Sequence, residues 1–367
     1  MKKIGIITFH RALNYGALLQ AYALKTKLEI LGSDAQIIDY RNDFLEQMYA
    51  YPGFMGQKGA KNKLRYLLYH KAENAKRENF EAFRQTYLGL KNAKVYKKDN
   101  IINAAREFEV FITGSDQVWS PDAHNMDPVF FLDFVTDVTK KKSYAASFGV
   151  SEVNPELQEL YNQYLKDYEI CSVREEQGAN IISQMMDKPT RVDVDPVFLL
   201  SKEAWAERLG LHRTKDRYAV IYSFGLSETQ KEMANQCCKA GMKIFIIGES
   251  MRNPLDVPCR LLGNLGPREF AQLLFGASFV ITNSFHGTAL SIVFQVPFAL
   301  EFLAGAAKKA NSRLDNLVRK THLESRVMSA GADLKQILDA DIDWNEVGFE
   351  VDEMHRTSSK YLRGIVL

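Results

Sequence analysis

Residues 283–288, Asn-Ser-Phe-His-Gly-Thr, set a histidine, an amide, two hydroxyls and a glycine between two apolar runs. The run before them, Phe279 to Ile281, is strand-like; the run after, Ala289 to Phe298, is broken only by Ser291, Gln295 and Pro297. A step from buried strand to buried helix presents the N–H groups of a helix start, which together with the helix dipole attract phosphate or carboxylate. Gly287 would let a ligand approach the backbone, Ser284 and Thr288 carry hydroxyls, and Asn283 an amide. His286 can donate a hydrogen bond to phosphate or act as a general acid near neutral pH. The plainer alternative is that Asn283 or Ser284 only caps the helix, with His286 satisfied on its first turn.

Three other segments put unusual polar residues after apolar runs. His10 to Gly16, HRALNYG, offers His10, Arg11, Asn14 and Gly16 as lining for a cleft. GSDQVW follows FEVFIT: Asp116 is a candidate general base, Gly114 and Ser115 expose backbone donors, and Gln117 adds an amide. There the rival reading is a helix cap at Ser115 or Asp116 with Trp119 in the core. In SVRE, Arg174 heads a helix, where a cation is unfavourable by a few tenths of a kcal/mol up to about 1. That placement points to a ligand, or to pairing with Glu175 and Glu176.

The elements that must position these residues read as alternating strands and helices. Ile4 to Phe9 is a short strand; Leu18, Leu19, Tyr22, Ala23, Leu28 and Leu31 then recur at helical steps until Gly32; Ala35 to Tyr40 is the next strand. Strand, helix, strand at this spacing predicts a βαβ unit and a parallel sheet. Residues 42–105 are charged and helical in tendency, with aromatics at intervals. Strands are expected at Phe108 to Thr113, Lys142 to Ser147 and Ile170 to Val173, then a helix from Glu175 to Met186. After Asp193-Val194-Asp195-Pro196 and SKEAWAERLG, read as a crossing between halves, the rhythm restarts: strand Tyr218 to Phe224, helix Ser227 to Ala240, strand Lys243 to Gly248, and a helix near Pro267 to Gly276. Two Rossmann-like α/β domains facing a cleft follow, 1–204 and 205–340, with 341–367 returning to pack on the body. In such sheets ligands bind beyond the carboxyl ends of the strands, where all four polar segments fall.

Bulk properties narrow the function class. The 367 residues are 46% hydrophobic and 25% charged, with 47 basic against 45 acidic side chains and a net charge of +2. On bulk electrostatics that balance gives no support to a nucleic-acid or membrane-surface role, because phosphate backbones select concentrated basic charge, and it leaves room for a local basic pocket. Cys171, Cys237, Cys238 and Cys259 form neither a CxxC pair nor a disulfide framework; reduced thiols in a cytoplasmic protein are expected, with the vicinal pair as helix packing. The start MKKIGIITFHR is too soon broken by His10 and Arg11 to be a signal sequence, and no run reaches the roughly 18 apolar residues of a membrane span. GxxxxGK[ST], GxGxxG after the first strand, GxSxG and HExxH are all missing, and no metal-ligand cluster is visible, so neither metal nor cofactor is expected.

The segments IGIITFHRALNYGALLQAYAL, FITGSDQVWSP, ICSVREEQGANII, VDVDPVFLL, TNSFHGTALSIVFQVPF and KKANSRLDNLV, in this order over roughly residues 4 to 320, resemble the polysaccharide pyruvyl transferase family. The resemblance implies a GT-B-type protein, acceptor side first and donor side second, that moves the enolpyruvyl group of phosphoenolpyruvate (PEP) onto a sugar or lipid-linked glycan, releasing phosphate. It also implies a peripheral association with glycan assembly. His286 falls on the family's essential histidine, and Gly287 and Thr288 on the adjoining donor loop. Asn14, Gly16, Ser115, Asp116 and Arg174 fall on cleft-facing positions, and Arg313 in NSRLD is a further cation for the PEP carboxylate or phosphate. Many members carry arginine two residues before the histidine, where this chain has Ser284. Either Arg174 or Arg313 takes its place, or the donor differs. A glycosyltransferase using a nucleotide sugar, with Glu301 on the ribose, and a non-catalytic glycan-binding protein are the two alternatives.

Overall fold

The computed structural model describes residues 1–248, 253–305, 311–329 and 333–367, apart from the Arg65 side chain. The first residues of the KKANSRLDNLV stretch, 308–310, and part of the polar stretch after Gly248 lie outside them. The chain forms two compact units, one of Met1–Ala50, Arg84–Leu200 and Val351–Leu367, the other of Tyr51–Phe83 and Ser201–Glu350.

In the first unit β1 (Lys3–Ile7), β2 (Asp34–Ile37), β5 (Val110–Thr113) and β6 (Lys141–Ser143) form a parallel sheet in the order β2-β1-β5-β6. Beside it stand the short parallel pairs β3 (Asp39–Tyr40) with β4 (Val95–Tyr96), and β7 (Cys171–Val173) with β8 (Thr190–Val192). The strand expected over Lys142 to Ser147 stops at Ser143, because Ala145 takes a left-handed φ of 49° and its N–H goes to Ser172 Oγ at 2.8 Å. Ala146 then bridges both Asp116 and Val173, handing the sheet on to β7. Four of the five residues of KIGII in β1 are buried, the pattern of a strand covered on both faces. Helix Tyr15–Ile30 is buried nearly all round, Gln20 and Thr26 included, so it lies inside the unit rather than on its surface.

The second unit carries β9 (Tyr218–Tyr222), β10 (Lys243–Ile247), β11 (Cys259–Leu262), β12 (Phe279–Thr282), β13 (Phe298–Glu301) and β14 (Val327–Met328) in the order β11-β10-β9-β12-β13-β14, every pair parallel. Helix Glu228–Lys239 starts in a full capping box, Ser227 with Gln230. Helix Phe285–Phe294 is buried from His286 onward and ends where Gln295 turns left-handed, two residues before Pro297.

One feature differs from the sequence expectation. Tyr51–Phe83, placed there within a 1–204 domain, belongs to the second unit. Phe80 and Phe83 are buried, and Asn79 Nδ2 donates to the Asn264 carbonyl at 2.8 Å, a contact 185 residues away in sequence. The DVDP run leads into the crossing, since the first unit reaches Leu200 and the second resumes at Ser201, and it is also a hub of hydrogen bonds. Asp193 accepts from Arg191 at 2.6 and 2.8 Å and from Ser172 at 2.6 Å, while Asp195 accepts from Arg174 at 2.8 Å. The end of the chain joins the first unit: Tyr361 donates to the Ser143 carbonyl and Ser358 accepts from the Val194 N–H.

Candidate functional site

In each sheet the direction of winding reverses once. From β9 the chain builds outward through β10 and β11, then returns to the other flank of β9 with β12. From β1 it builds to β2 and later returns on the far side with β5. Beyond the carboxyl ends of such strand pairs a crevice opens, because the connections leave in opposite directions. The four ends carry Ser223-Phe224 and Asn283 to Thr288 in the second unit, and Thr8 to Arg11 and Gly114 to Gln117 in the first.

The second-unit crevice is built by the polar residues that the sequence singles out. Asn283 accepts from the Phe224 N–H at 2.8 Å and donates to its carbonyl at 3.3 Å, tying the two strand-end loops together. Ser284 caps helix Phe285–Phe294, taking the Gly287 N–H at 3.4 Å, and the Thr288 hydroxyl returns to the Ser284 carbonyl at 3.1 Å. Thr282 Oγ1 donates to the Tyr222 carbonyl at 2.6 Å and accepts from the Ser284 N–H at 3.0 Å. Gly287 has a cause other than ligand access. A Cβ there would overlap Thr282 Oγ1 and stand 3.2 Å from Tyr222 Cδ1, so the glycine lets the helix close on the strands.

His286 sits on the first helical turn, 8% exposed, its ring edge-on to Phe285 with centroids 5.3 Å apart. The Arg313 guanidinium lies 5.9 Å from the centre of the same Phe285 ring, from the start of helix Ser312–Lys320. One aromatic ring therefore brings together two residues separated by 27 positions. Two further groups went unread in the sequence. Ser223 Oγ is buried without a hydrogen-bond partner, and Phe224 is 60% exposed at the mouth of the crevice. Their signal is a polar-aromatic step straight after strand YAVIY, weaker than NSFHGT because it lacks a titratable side chain. Glu301, at the end of β13, accepts from the Ser227 hydroxyl at 2.5 Å.

In the first unit, Asn14 is the N-cap of helix Tyr15–Ile30, accepting from the Ala17 N–H at 3.2 Å, and Gly16 is buried in its first turn. His10 is 1% exposed: Nδ1 faces the Thr8 carbonyl at 3.0 Å and Nε2 faces Asp39 at 3.1 Å. Burial would raise the Asp39 carboxyl, but its hydrogen bonds to His10 and Arg41 prevail and hold it well below the usual range. His10 is thus a buried structural histidine rather than cleft lining. The loop around it is held by Arg84, absent from the sequence reading, which donates to the carbonyls of His10, Arg11 and Ala12 at 2.8 to 3.2 Å.

Asp116 stands at φ 79°, a left-handed conformation that aspartate tolerates better than most side chains. Its carboxylate takes the Gln117 N–H at 2.9 Å, and both Asp116 and Gln117 are partly exposed. Gly114 lets β5 approach Leu24 and Thr8, and buried Ser115 accepts from Thr8 through its carbonyl at 2.9 Å. Arg174 pairs with a neighbouring carboxylate, the second of the two readings that its place in the sequence allowed. It lies buried against Asp195 at 2.8 Å and Glu175 at 3.6 Å, and Glu175 is held by Ser147 at 2.7 Å. Burial lowers the Arg174 pKa, but Asp195, Glu175 and Asp116 outweigh it and the net shift is upward. Asp195 and Glu175 thus lie buried with their charge matched by the Arg174 guanidinium. Among the described residues no group of histidine, cysteine and acidic side chains could hold a metal ion.

The family model for polysaccharide pyruvyl transferases matches residues 14–300. The chain belongs to that family, a family of transferases. The match takes in Gly114 to Gln117, Ser223-Phe224 and Asn283 to Thr288, while Thr8 to Arg11, Glu301 and Arg313 lie outside it. No curated protein matches the chain in sequence. Among solved structures, one described as a UDP-N-acetylglucosamine 2-epimerase from Listeria monocytogenes aligns with a TM-score of 0.50 and 12% identity over 96% of this chain and 90% of that one. UDP-GlcNAc 2-epimerase from Neisseria meningitidis aligns at 0.49 and 9% over 100% and 99%, and ADP-heptose lps heptosyltransferase II from E. coli at 0.40 and 12% over 97% and 99%. The first of these shows the fold: α/β with parallel sheets, of the GT-B class. No helix of the described residues is long and apolar enough to cross a membrane.

Proposed function

We propose that this pyruvyl transferase family member takes PEP as donor in the crevice of its second unit and places the pyruvyl group on hydroxyls of a surface polysaccharide or its lipid-linked precursor in the cytoplasm. The observation that carries the reading is the meeting of His286 and Arg313 on Phe285, at the strand-order reversal where a helix start also points. PEP carries a phosphate and a carboxylate, and both require cationic and N–H donors. Arg313 supplies the cation that Ser284 does not, and the unpartnered Ser223 hydroxyl is a further donor. Asn283, Ser284, Gly287 and Thr288 shape the loop from which the helix start meets the donor.

In the reaction, His286 gives a proton to the methylene carbon of PEP, leaving a cationic centre at the carbon that bears the phosphate. A sugar hydroxyl bonds to that carbon as a general base takes its proton. A second hydroxyl of the same sugar then gives its proton to the deprotonated His286 and replaces the phosphate, which leaves with its bonding pair, and the ketal closes.

A nucleotide sugar is the rival donor, and Glu301 is the residue that it would use on the ribose. Thermal unfolding with PEP and, separately, with UDP, GDP and CMP sugars decides between them. A ligand at about 100 times its dissociation constant stabilises by roughly 2.7 kcal/mol. A rise with PEP that His286→Ala and Arg313→Ala each diminish, followed by phosphate release with a glycan acceptor, is expected. A rise only with a nucleotide sugar overturns the donor assignment, and full turnover in His286→Ala ends its role as the acid.

A further inference from the structure

Between Gln47 and Ala72 the chain has no acidic residue and five basic ones, Lys58, Lys61, Lys63, Arg65 and Lys71, although the net charge of the whole protein is only +2. The second half of this run is the start of helix Ala60–Thr86. One face of that helix is occupied. Tyr66 stacks on Tyr51 at 5.4 Å and on His70 at 5.2 Å, and Arg77 lies over Tyr51 at 5.2 Å. The opposite face turns Leu64, Leu67 and Leu68 outward at 59%, 56% and 47% exposure, with exposed Lys61 and Lys71 one turn to either side. Met55, just before the helix, is 88% exposed. Elsewhere exposed apolar side chains are mostly scattered singly, as on any soluble surface, but here three fall on one helical stripe.

We infer that this stripe is a membrane-docking face, which lays the leucines into the interface of a bilayer rich in anionic lipid while the lysines meet the headgroups. A leucine stripe bordered by lysines suits a lipid interface, because the lysine stems can follow the apolar surface while their ammonium groups stay among the headgroups. A protein partner fits less well, since interface cores are depleted in lysine. The acid-free run supplies the charge complementarity: nothing along it repels a negative surface. The inference concerns where the protein sits and is independent of the donor that it uses.

Flotation of the full-length protein with vesicles tests it directly. Binding to phosphatidylglycerol-containing vesicles and little to pure phosphatidylcholine is expected, weakening as salt is raised. Leu64→Gln, Leu67→Gln and Leu68→Gln together should abolish flotation, and Lys61→Glu with Lys71→Glu should lower partition by about tenfold or more. All five positions are on the surface, so the thermal midpoint should hold in both variants. Equal binding to the two vesicle types, unchanged flotation of the variants, or a leucine-dependent dimer without lipid in sedimentation velocity would each overturn the assignment.

Discussion

A methyl group on Gly287 would overlap Thr282 Oγ1 and press on Tyr222, side chains at the ends of the two strands that flank the second-unit crevice. Alanine is otherwise the better helix former by about 1 kcal/mol, so in an open first turn Gly287→Ala would be stabilising. Here overpacking prevails, and the substitution should cost about 1–3 kcal/mol in urea denaturation of the unliganded protein. A glycine kept only for ligand access would show no such loss. Arg174 makes the same point with charge. Seen alone, it is a cation waiting for an anion; buried against Asp195 and Glu175, it neutralises carboxylates that could not otherwise lie 0% and 3% exposed.

Among the elements, the loop between β1 and helix Tyr15–Ile30 depends on a residue more than seventy positions away. Arg84, in the last turn of helix Ala60–Thr86, reaches three consecutive carbonyls, and it is 4% exposed. A guanidinium can serve several acceptors from one rigid plane, whereas an ammonium cannot match that geometry. Arg84→Ala should therefore destabilise by about 2 kcal/mol or more, and Arg84→Lys should recover only part of it. Hydrogen exchange locates the effect: amides of residues 8–14 should exchange faster in the variant while those of β9 and β12 stay protected. Uniform acceleration across the chain would mean that Arg84 supports the whole fold rather than this loop.

For the whole molecule, each unit holds one buried free thiol, Cys171 in β7 of the first and Cys237 in helix Glu228–Lys239 of the second. Burial pushes both up to about 12. Ellman's reagent near pH 8 should therefore label Cys238 and Cys259, which are partly exposed, and spare the other two until their units open. The labelling rates of Cys171 and Cys237 then report the opening of each unit separately. The sign of the pH effect follows. A thiol raised in the folded state favours folding fully below its unfolded pKa of about 8.5, and that contribution is lost as pH climbs toward 12. Tyr218 and Tyr222, also pushed up to about 12 by burial, act the same way from about pH 10 upward. Stability measured by urea should decline across this alkaline range, and a flat profile would contradict the buried thiols.

What the sequence determined by itself is local. Strand runs such as KIGII and FVIT, the Ser227 capping box, the Ser284 cap and the four polar segments at strand ends depend on residues a few positions apart, and their order along the chain is what marks the family. Tertiary structure alone decided the rest. It set β12 beside β9 and β5 beside β1, so that the polar segments flank a reversal of strand order. It gave Tyr51–Phe83 to the second unit, paired Arg174 with Asp195 and His10 with Asp39, and closed the space around Gly287. Each of those outcomes turns on which distant groups share a desolvated volume, where an unmatched charge or a single surplus methyl costs kilocalories. No periodicity of near neighbours encodes that sharing, which is why a residue type suited to a ligand can prove to be part of the frame.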